Sequence, residues 1–187
     1  MKVLLLDNFD SFTYNLFHYL EELGCELTVA RNNAIGLEEI AAFDKIILSP
    51  GPGLPKNAGI MPALIERYHA SIPIFGVCLG MQALGEFFGG TLYNQQEVKH
   101  GIQEYCVHTG SSRLLNGIPQ RFAVGLYHSW AVDPEKAKDL QSICWSENEV
   151  LMAVEHIHLP VAGVQFHPES LMTPFGKEII HNFLKMK

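Results

Sequence analysis

Between Ile72 and Gly90 the chain reads Ile72-Pro73-Ile74-Phe75-Gly76-Val77-Cys78-Leu79-Gly80-Met81-Gln82-Ala83-Leu84-Gly85-Glu86-Phe87-Phe88-Gly89-Gly90. Ile72 to Val77 is a short apolar run, the pattern of a strand covered on both faces. Leu79 to Phe88 is helical in pattern and stops at Gly89-Gly90. Strand passes into helix through one residue, Cys78, within Gly76-x-Cys78-x-Gly80. The elbow that presents a nucleophilic serine as G-x-S-x-G is built the same way. Its glycines remove side chains that would collide where strand and helix converge. A sulfur held there lies at a helix N-terminus, where the dipole favours negative charge.

The same alternation extends toward the N-terminus. Val3 to Leu6 is a buried-strand run. Leu16, Leu20 and Leu23 mark a helix closed by Gly24. Leu27 to Ala30 reads as a strand, Leu37 to Phe43 as a short helix, Lys45 to Leu48 as a strand and Met61 to Tyr68 as a helix. After Gly90 the rhythm shifts to strand candidates at Thr91–Tyr93, Tyr105–Val107, Phe122–Leu126, Ile143–Trp145, Leu151–Glu155 and Val161–Gln165. A helix at Phe175–Leu184 follows, with Pro174 at its start. This pattern predicts an α/β fold, an open, mostly parallel, doubly wound sheet of flavodoxin-like type with added antiparallel β-structure. Residues 1–187 are expected to form one domain.

Composition narrows the function classes. With 13 Lys+Arg against 20 Asp+Glu the net charge is −7, which argues against a nucleic-acid binder. No apolar run approaches a membrane span, and Asp7 ends the first run short of a signal-peptide core. The four cysteines, Cys25, Cys78, Cys106 and Cys144, form no C-x-x-C pair and read as free thiols in a reducing cytoplasm. Buried packing is the ordinary role of such a cysteine, and only Cys78 has an elbow around it.

A nucleophilic thiol needs a base and a group to orient that base. His167 stands in Gly163-Val164-Gln165-Phe166-His167-Pro168-Glu169-Ser170, just past a strand, where open α/β sheets place their sites. Pro168 favours an extended His167, so Glu169 at i+2 shares its side of the chain, and a direct bond between them requires a local turn. Ser49-Pro50-Gly51-Pro52-Gly53 follows the third strand, and the N–H groups of Gly53 and Leu79 are candidate donors to an oxyanion. His156-x-His158 lacks a third ligand of suitable spacing, so no metal is expected. Ser11-x-Thr13-x-Asn15 has the outline of a flavin phosphate loop, but Phe12 and Tyr14 are bulky and Asp7 and Asp10 repel phosphate.

The motifs S-P-G-P-G, G-V-C-L-G-x-Q and G-V-Q-F-H-P-E-S together resemble those of class I glutamine amidotransferases, and the resemblance covers essentially the whole chain. The opening Asp7-Asn8-Phe9-Asp10-Ser11-Phe12-Thr13-Tyr14-Asn15-Leu16 is similar to the glutaminase subunits of anthranilate synthase and aminodeoxychorismate synthase. The resemblance implies Cys78 as nucleophile, His167 as base and Glu169 as its orienting carboxylate. It implies contacts to L-glutamine from Gly51, Pro52, Gly53, Gln82, Ser129 and Trp130. It implies a chorismate-binding synthase subunit (component I) as partner, and no cofactor in this chain. Three positions depart from the family pattern: Met81 replaces a frequent His, Trp130 a usual Leu, and Ile102 a common Lys.

The loop after the first strand carries Phe9, Phe12 and Tyr14 where a solvent loop is usually polar, and aromatic residues are enriched at interfaces. Asn8, Phe9, Ser11, Phe12 and Tyr14 are therefore the candidate partner surface. The alternative is that Phe12 and Tyr14 pack into the first helix. Two readings of other classes stand beside a partner-dependent glutaminase: a non-catalytic flavodoxin-like binding module, and a free-standing cysteine hydrolase.

Overall fold

Apolar runs without alternation belong in strands covered on both faces, and β1, β3 and β4 take that place. The computed structural model describes residues 1–187, apart from the side chains of Gln96 and Glu97. The chain runs β1 (Lys2–Asp7), α1 (Thr13–Glu22), β2 (Glu26–Arg31), β3 (Lys45–Leu48), α2 (Met61–Tyr68), β4 (Ile74–Val77), α3 (Leu79–Phe87), β5 (Thr91–His108), β6 (Arg121–Asp133), β7 (Leu140–Ser146), β8 (Leu151–His156), β9 (Val161–Val164) and α4 (Gly176–Lys185). The strands form one sheet in the order β2-β1-β3-β4-β9-β8-β7-β5-β6.

Alternate residues of β1 enter two cores. Val3 and Leu5 face Leu16 and Leu20 of α1 and Ile179, Ile180 and Phe183 of α4. Leu4 and Leu6 face Leu64 and Ile65 of α2 and Ala83 and Leu84 of α3. The sheet is thus doubly wound, as expected. Fully burying each such leucine or isoleucine is worth ~1.5–3 kcal/mol. On the α4 side, Phe75 stacks on Phe183 at 5.1 Å between ring centroids.

Strands β2, β1, β3, β4 and β9 are mutually parallel. From β9 outward through β8, β7, β5 and β6 each pairing is antiparallel. The sheet is therefore half parallel rather than mostly so. Two expected strands, Thr91–Tyr93 and Tyr105–Val107, are the ends of the single 18-residue β5. Irregularities between Asn94 and Lys99 and between His100 and Ile102 break its alternation, and Gly101 takes φ +70° there. A break in period two hides a long strand from a pattern reading. Leu37–Ala42 forms a 3-10 helix instead of an α-helix, and only Ile40 of its six residues is buried. So short a segment with one anchor lacks the stripe that holds an α-helix to a core.

The carboxyl ends of the parallel strands share one edge of the sheet. The segments that leave it carry residues 8–12 and the first turn of α1 after β1, Ser49–Gly53 after β3, Cys78 after β4 and Gln165–Glu169 after β9.

Candidate active site

Cys78 caps α3 with φ +50° and ψ −101°, a left-handed backbone on a residue other than glycine. Such a conformation costs roughly 1–3 kcal/mol and persists only where its surroundings impose it. Here the N–H of Cys78 donates to Val164 O at 2.8 Å, and its carbonyl accepts from the Gln82 N–H at 3.0 Å. The flanking glycines are required by contact. A Cβ on Gly76 would lie 2.4 Å from the Gly80 carbonyl carbon, and one on Gly80 would lie 2.6 Å from Leu48 O. Strand β4 and helix α3 therefore meet backbone to backbone, and the side chain of Cys78 is left nearly buried at 6% exposure.

His167 arrives from the next parallel strand. Its N–H donates to Gly125 O at 3.0 Å, and its carbonyl accepts from the Thr173 hydroxyl at 2.7 Å. The N–H of Ser170 donates to the same carbonyl at 3.2 Å, closing the turn that the H-P-E spacing required. That turn brings His167 Nδ1 to 2.6 Å from Glu169 Oε1, with both side chains buried. A Cβ on Gly176 would lie 1.7 Å from Pro168 O, so the start of α4 is pressed directly against this turn. The ring of Tyr127 meets the imidazole edge-on at 4.8 Å, and Phe12 at 5.7 Å.

Burial by itself lowers the pKa of His167. The neighbouring Cys78 thiol and the Glu169 carboxylate outweigh burial and raise it to about 10. Nε2 has no partner at ordinary hydrogen-bond geometry, and the polar group it interacts with is the Cys78 sulfur. The imidazole is thus charged at neutral pH, with one nitrogen fixed by Glu169 and its charge also favoured by Cys78.

The loop after β3 lies against the elbow. A Cβ on Gly51 would sit 2.5 Å from Asn8 O and 3.0 Å from Leu79 Cδ2. Gly53 is exposed, at φ +80°. Leu79 is the first residue of α3, so its N–H belongs to those that have no carbonyl within their own helix. Ser129 and Trp130 are half-buried on β6. The Gln82 amide donates to Trp130 O at 3.0 Å and to Gln165 Oε1 at 3.2 Å.

The loop after β1 divides. Phe9 and Tyr14 are 49% and 62% exposed. Ser11 is exposed, and Phe12 turns inward onto Tyr127 at 5.1 Å. Asn8 is buried, in contrast to its expected place on a partner surface. Its side chain donates to Ser49 O and accepts from Asn32, which ties the loops after β1, β2 and β3 together.

Four residues near the site escaped the sequence reading. Gln165 is wholly buried and donates to Cys78 Sγ at 3.4 Å. His128 is buried, with Nδ1 2.9 Å from Trp130 O; burial pushes its pKa down to about 4 and keeps it neutral. Asp10 accepts the Phe12 N–H at 2.7 Å, and burial raises its pKa while the Phe12 N–H and His167 oppose the rise. Thr173 pins His167. Only Gln165 left a signal, a polar residue inside the buried run Gly163-Val164-Gln165-Phe166.

Other features fall away from this cluster. A cleft of about 890 Å³ lies between the 111–116 loop and the end of α4 and shares no residue with the elbow. His156 Nδ1 accepts the N–H groups of His158 and Leu159, which makes the His156-x-His158 segment a turn. Among the described residues no group of three His, Cys, Asp or Glu side chains is placed to hold a metal ion.

A family model described as glutamine amidotransferase class-I matches residues 4–186. Aminodeoxychorismate/anthranilate synthase component 2 of Bacillus subtilis (strain 168) is 42% identical over 186 residues, which span 98% of this chain and 95% of that protein. Aminodeoxychorismate synthase component 2 of Escherichia coli (strain K12) is 40% identical over 185 residues, 97% of this chain and 98% of that protein. A solved glutamine amidotransferase from Thermotoga maritima superposes with a TM-score of 0.78 at 14% identity, over 99% of this chain and 96% of that one; at this identity the likeness speaks for the fold alone.

Proposed function

This chain belongs to the class I glutamine amidotransferases, and on that premise we propose that it is the glutaminase component of a synthase that aminates chorismate. The observation that carries the catalytic part is Cys78, held at φ +50° beside a buried His167–Glu169 pair. In this reading the Cys78 thiolate attacks the side-chain amide carbon of L-glutamine. The carbonyl oxygen takes up the charge and is met by the N–H groups of Gly53 and Leu79. His167 gives its proton to the amide nitrogen, ammonia leaves, and a γ-glutamyl thioester to Cys78 remains. Water then attacks the thioester, with His167 taking its proton, and glutamate departs as the thiol is restored. Glu169 keeps the imidazole in one orientation and balances its charge through both steps. No step needs a cofactor from this chain.

Gly51, Pro52, Gly53, Gln82, Ser129 and Trp130 line the proposed glutamine site. The Gln82 NH2 already serves Trp130 and Gln165, which leaves its carbonyl oxygen for substrate. Ammonia is a nucleophile only while unprotonated, so a closed path to a synthase subunit gives its release a purpose. The component 2 names of the relatives support such a subunit. The Bacillus subtilis relative is named for both aminodeoxychorismate and anthranilate synthesis, and we propose anthranilate first with aminodeoxychorismate as the second product. The exposed Phe9 and Tyr14 supply a docking surface, and Phe12 links that loop through Tyr127 to His167. Among the described residues no helix is long and apolar enough to cross a membrane.

The test is Cys78→Ala in complex with the chorismate-binding subunit. Glutamine-dependent amination should vanish while ammonia-dependent amination stays near wild type. Turnover with glutamine in that variant would move the nucleophile elsewhere. Glutamate release that rises with added partner separates this reading from a free-standing hydrolase, and stoichiometric labelling of Cys78 by a glutamine-analogue electrophile separates it from a binding module.

A further inference from the structure

Gln165 poses a problem that the proposed reaction does not answer. A glutamine with no exposure to solvent is less favourable at a strand's buried end than a leucine unless its amide is bonded. Its hydrogen-bonding side-chain partners are two: Gln82, which donates to its Oε1 at 3.2 Å, and Cys78, whose Sγ lies 3.4 Å from its Nε2. Both belong to the site.

The direction of this chain of bonds is decided at its far end. Trp130 O is a carbonyl and only accepts, so Gln82 presents its NH2 group there, 3.0 Å away. The remaining N–H of that group meets Gln165, which therefore presents its oxygen to Gln82 and its own NH2 to the sulfur. His128 Nδ1 lies beside the same carbonyl, 2.9 Å from Trp130 O and 2.7 Å from the Gln95 amide nitrogen. Turning over Gln82 would set its oxygen against Trp130 O, and turning over Gln165 would set its NH2 against that of Gln82. The sulfur thus faces a donor whose polarity is imposed from β6, with the His167 imidazole as its other polar neighbour.

We propose that Gln165 is a catalytic residue of the glutaminase reaction, its amide N–H donating to the Cys78 sulfur and favouring the anion over the neutral thiol, with Gln82 as a positioning residue that fixes the amide's direction through Trp130 O. The inference rests on the reading of Cys78 as nucleophile. It gives the tie between Trp130 and the sulfur a function: a substrate that settles against Ser129 and Trp130 acts on the chain of amides that holds the attacking atom. When the sulfur forms its bond to the amide carbon it loses its negative charge, and the Gln165 bond weakens at that moment. Gln165 therefore acts on the resting nucleophile, and its removal should show in the ionisation of Cys78 more than in the binding of glutamine.

The experiment is the rate of Cys78 alkylation by iodoacetamide as a function of pH, in wild type, Gln165→Met, Gln165→Glu and Gln82→Met. Methionine matches glutamine in length and lacks the donor. Gln165→Met should react about tenfold more slowly than wild type at pH 7, the lower end of what a hydrogen bond to a charged group is worth. Its rate should rejoin the wild-type rate at high pH, where every thiol is ionised. Gln165→Glu should lose more, because a carboxylate opposes the anion. Gln82→Met should lose less, and adding it to Gln165→Met should change nothing further, since the two share one path. A rate–pH curve of folded Gln165→Met that superimposes on wild type would overturn the proposal. Failure of iodoacetamide to label wild-type Cys78 would instead remove the nucleophile reading itself. Should the Gln165 variants not fold, the side-chain amide resonance of Gln165 serves. It should move with pH in wild type and lose that dependence in Cys78→Ala, and a resonance that is flat in wild type counts against the proposal.

Discussion

Glu169 shows how much a single turn adds to a motif. Two residues apart on an extended strand, it would share a side with His167 without touching it; the Pro168–Glu169 turn sets their atoms 2.6 Å apart. A carboxylate steadies an imidazolium and an amide does so poorly. Glu169→Gln should therefore lower the kcat of the partner-bound enzyme about 100-fold or more while KM for glutamine stays close to wild type. Steady-state kinetics decide this, and an unaltered kcat would remove Glu169 from the mechanism. The same pair sets a pH dependence. Burial lowers the His167 pKa, but Cys78 and Glu169 raise it overall, to about 10. The folded protein then holds a proton that the unfolded chain, with an ordinary histidine near ~6.5, has released. The stabilisation is complete below ~6.5 and is lost as pH rises through about 10. Denaturant midpoints measured between pH 6 and 10 should fall, and Glu169→Gln should flatten that fall. At this scale Cys78, His167 and Glu169 were legible because each stands in a short motif beside a strand end. Gln165, His128 and Asp10 were not, because their partners are distant in sequence and meet them only across the sheet.

The elements depend on glycines that let backbones touch. Gly76→Ala would drive a Cβ to within 2.4 Å of the Gly80 carbonyl carbon, and no side-chain rotation relieves a clash with backbone. Helix α3 must move off β4, so a loss of about 1–3 kcal/mol in unfolding free energy is expected. Cys78 alkylation should slow with it, because the elbow conformation at φ +50° is imposed by the same contact. Equilibrium unfolding and iodoacetamide kinetics check both, and full stability with full reactivity would show that the contact is slack. The strand–helix pattern around Cys78 was readable since a turn with G-x-C-x-G leaves few other backbones. Strand β5 was not: its irregularities near Lys99 and His100 look in sequence like a loop between two short strands, and only pairing with β6 on both sides of the break makes it one strand.

Across the whole molecule, four loops of one sheet edge assemble the site, and the loop after β1 joins it to the surface. Replacing exposed Phe9 and Tyr14 by Ala should weaken binding of the chorismate-binding subunit by about 1–4 kcal/mol if either is a hot spot, with circular dichroism and Cys78 labelling retained. Titration of partner against glutamate release measures this, and unchanged affinity would place the docking surface elsewhere. Sequence alone determined the local events: where apolar runs make strands, where glycines stop helices, which cysteine sits at an elbow, and which histidine follows a strand end. These depend on neighbours within a few residues, and short-range sterics and hydrophobic periodicity suffice for them. Tertiary structure decided the rest. It joined the antiparallel strands to the parallel sheet as one surface, buried Asn8 as a tie between loops, and turned Phe12 inward onto Tyr127 and His167. It also ran the amide chain from Trp130 through Gln82 and Gln165 to the sulfur. Each of these is a contact between residues far apart in the chain, and its direction follows from which group is left to donate once the others are bonded, a condition that exists only after the sheet has formed.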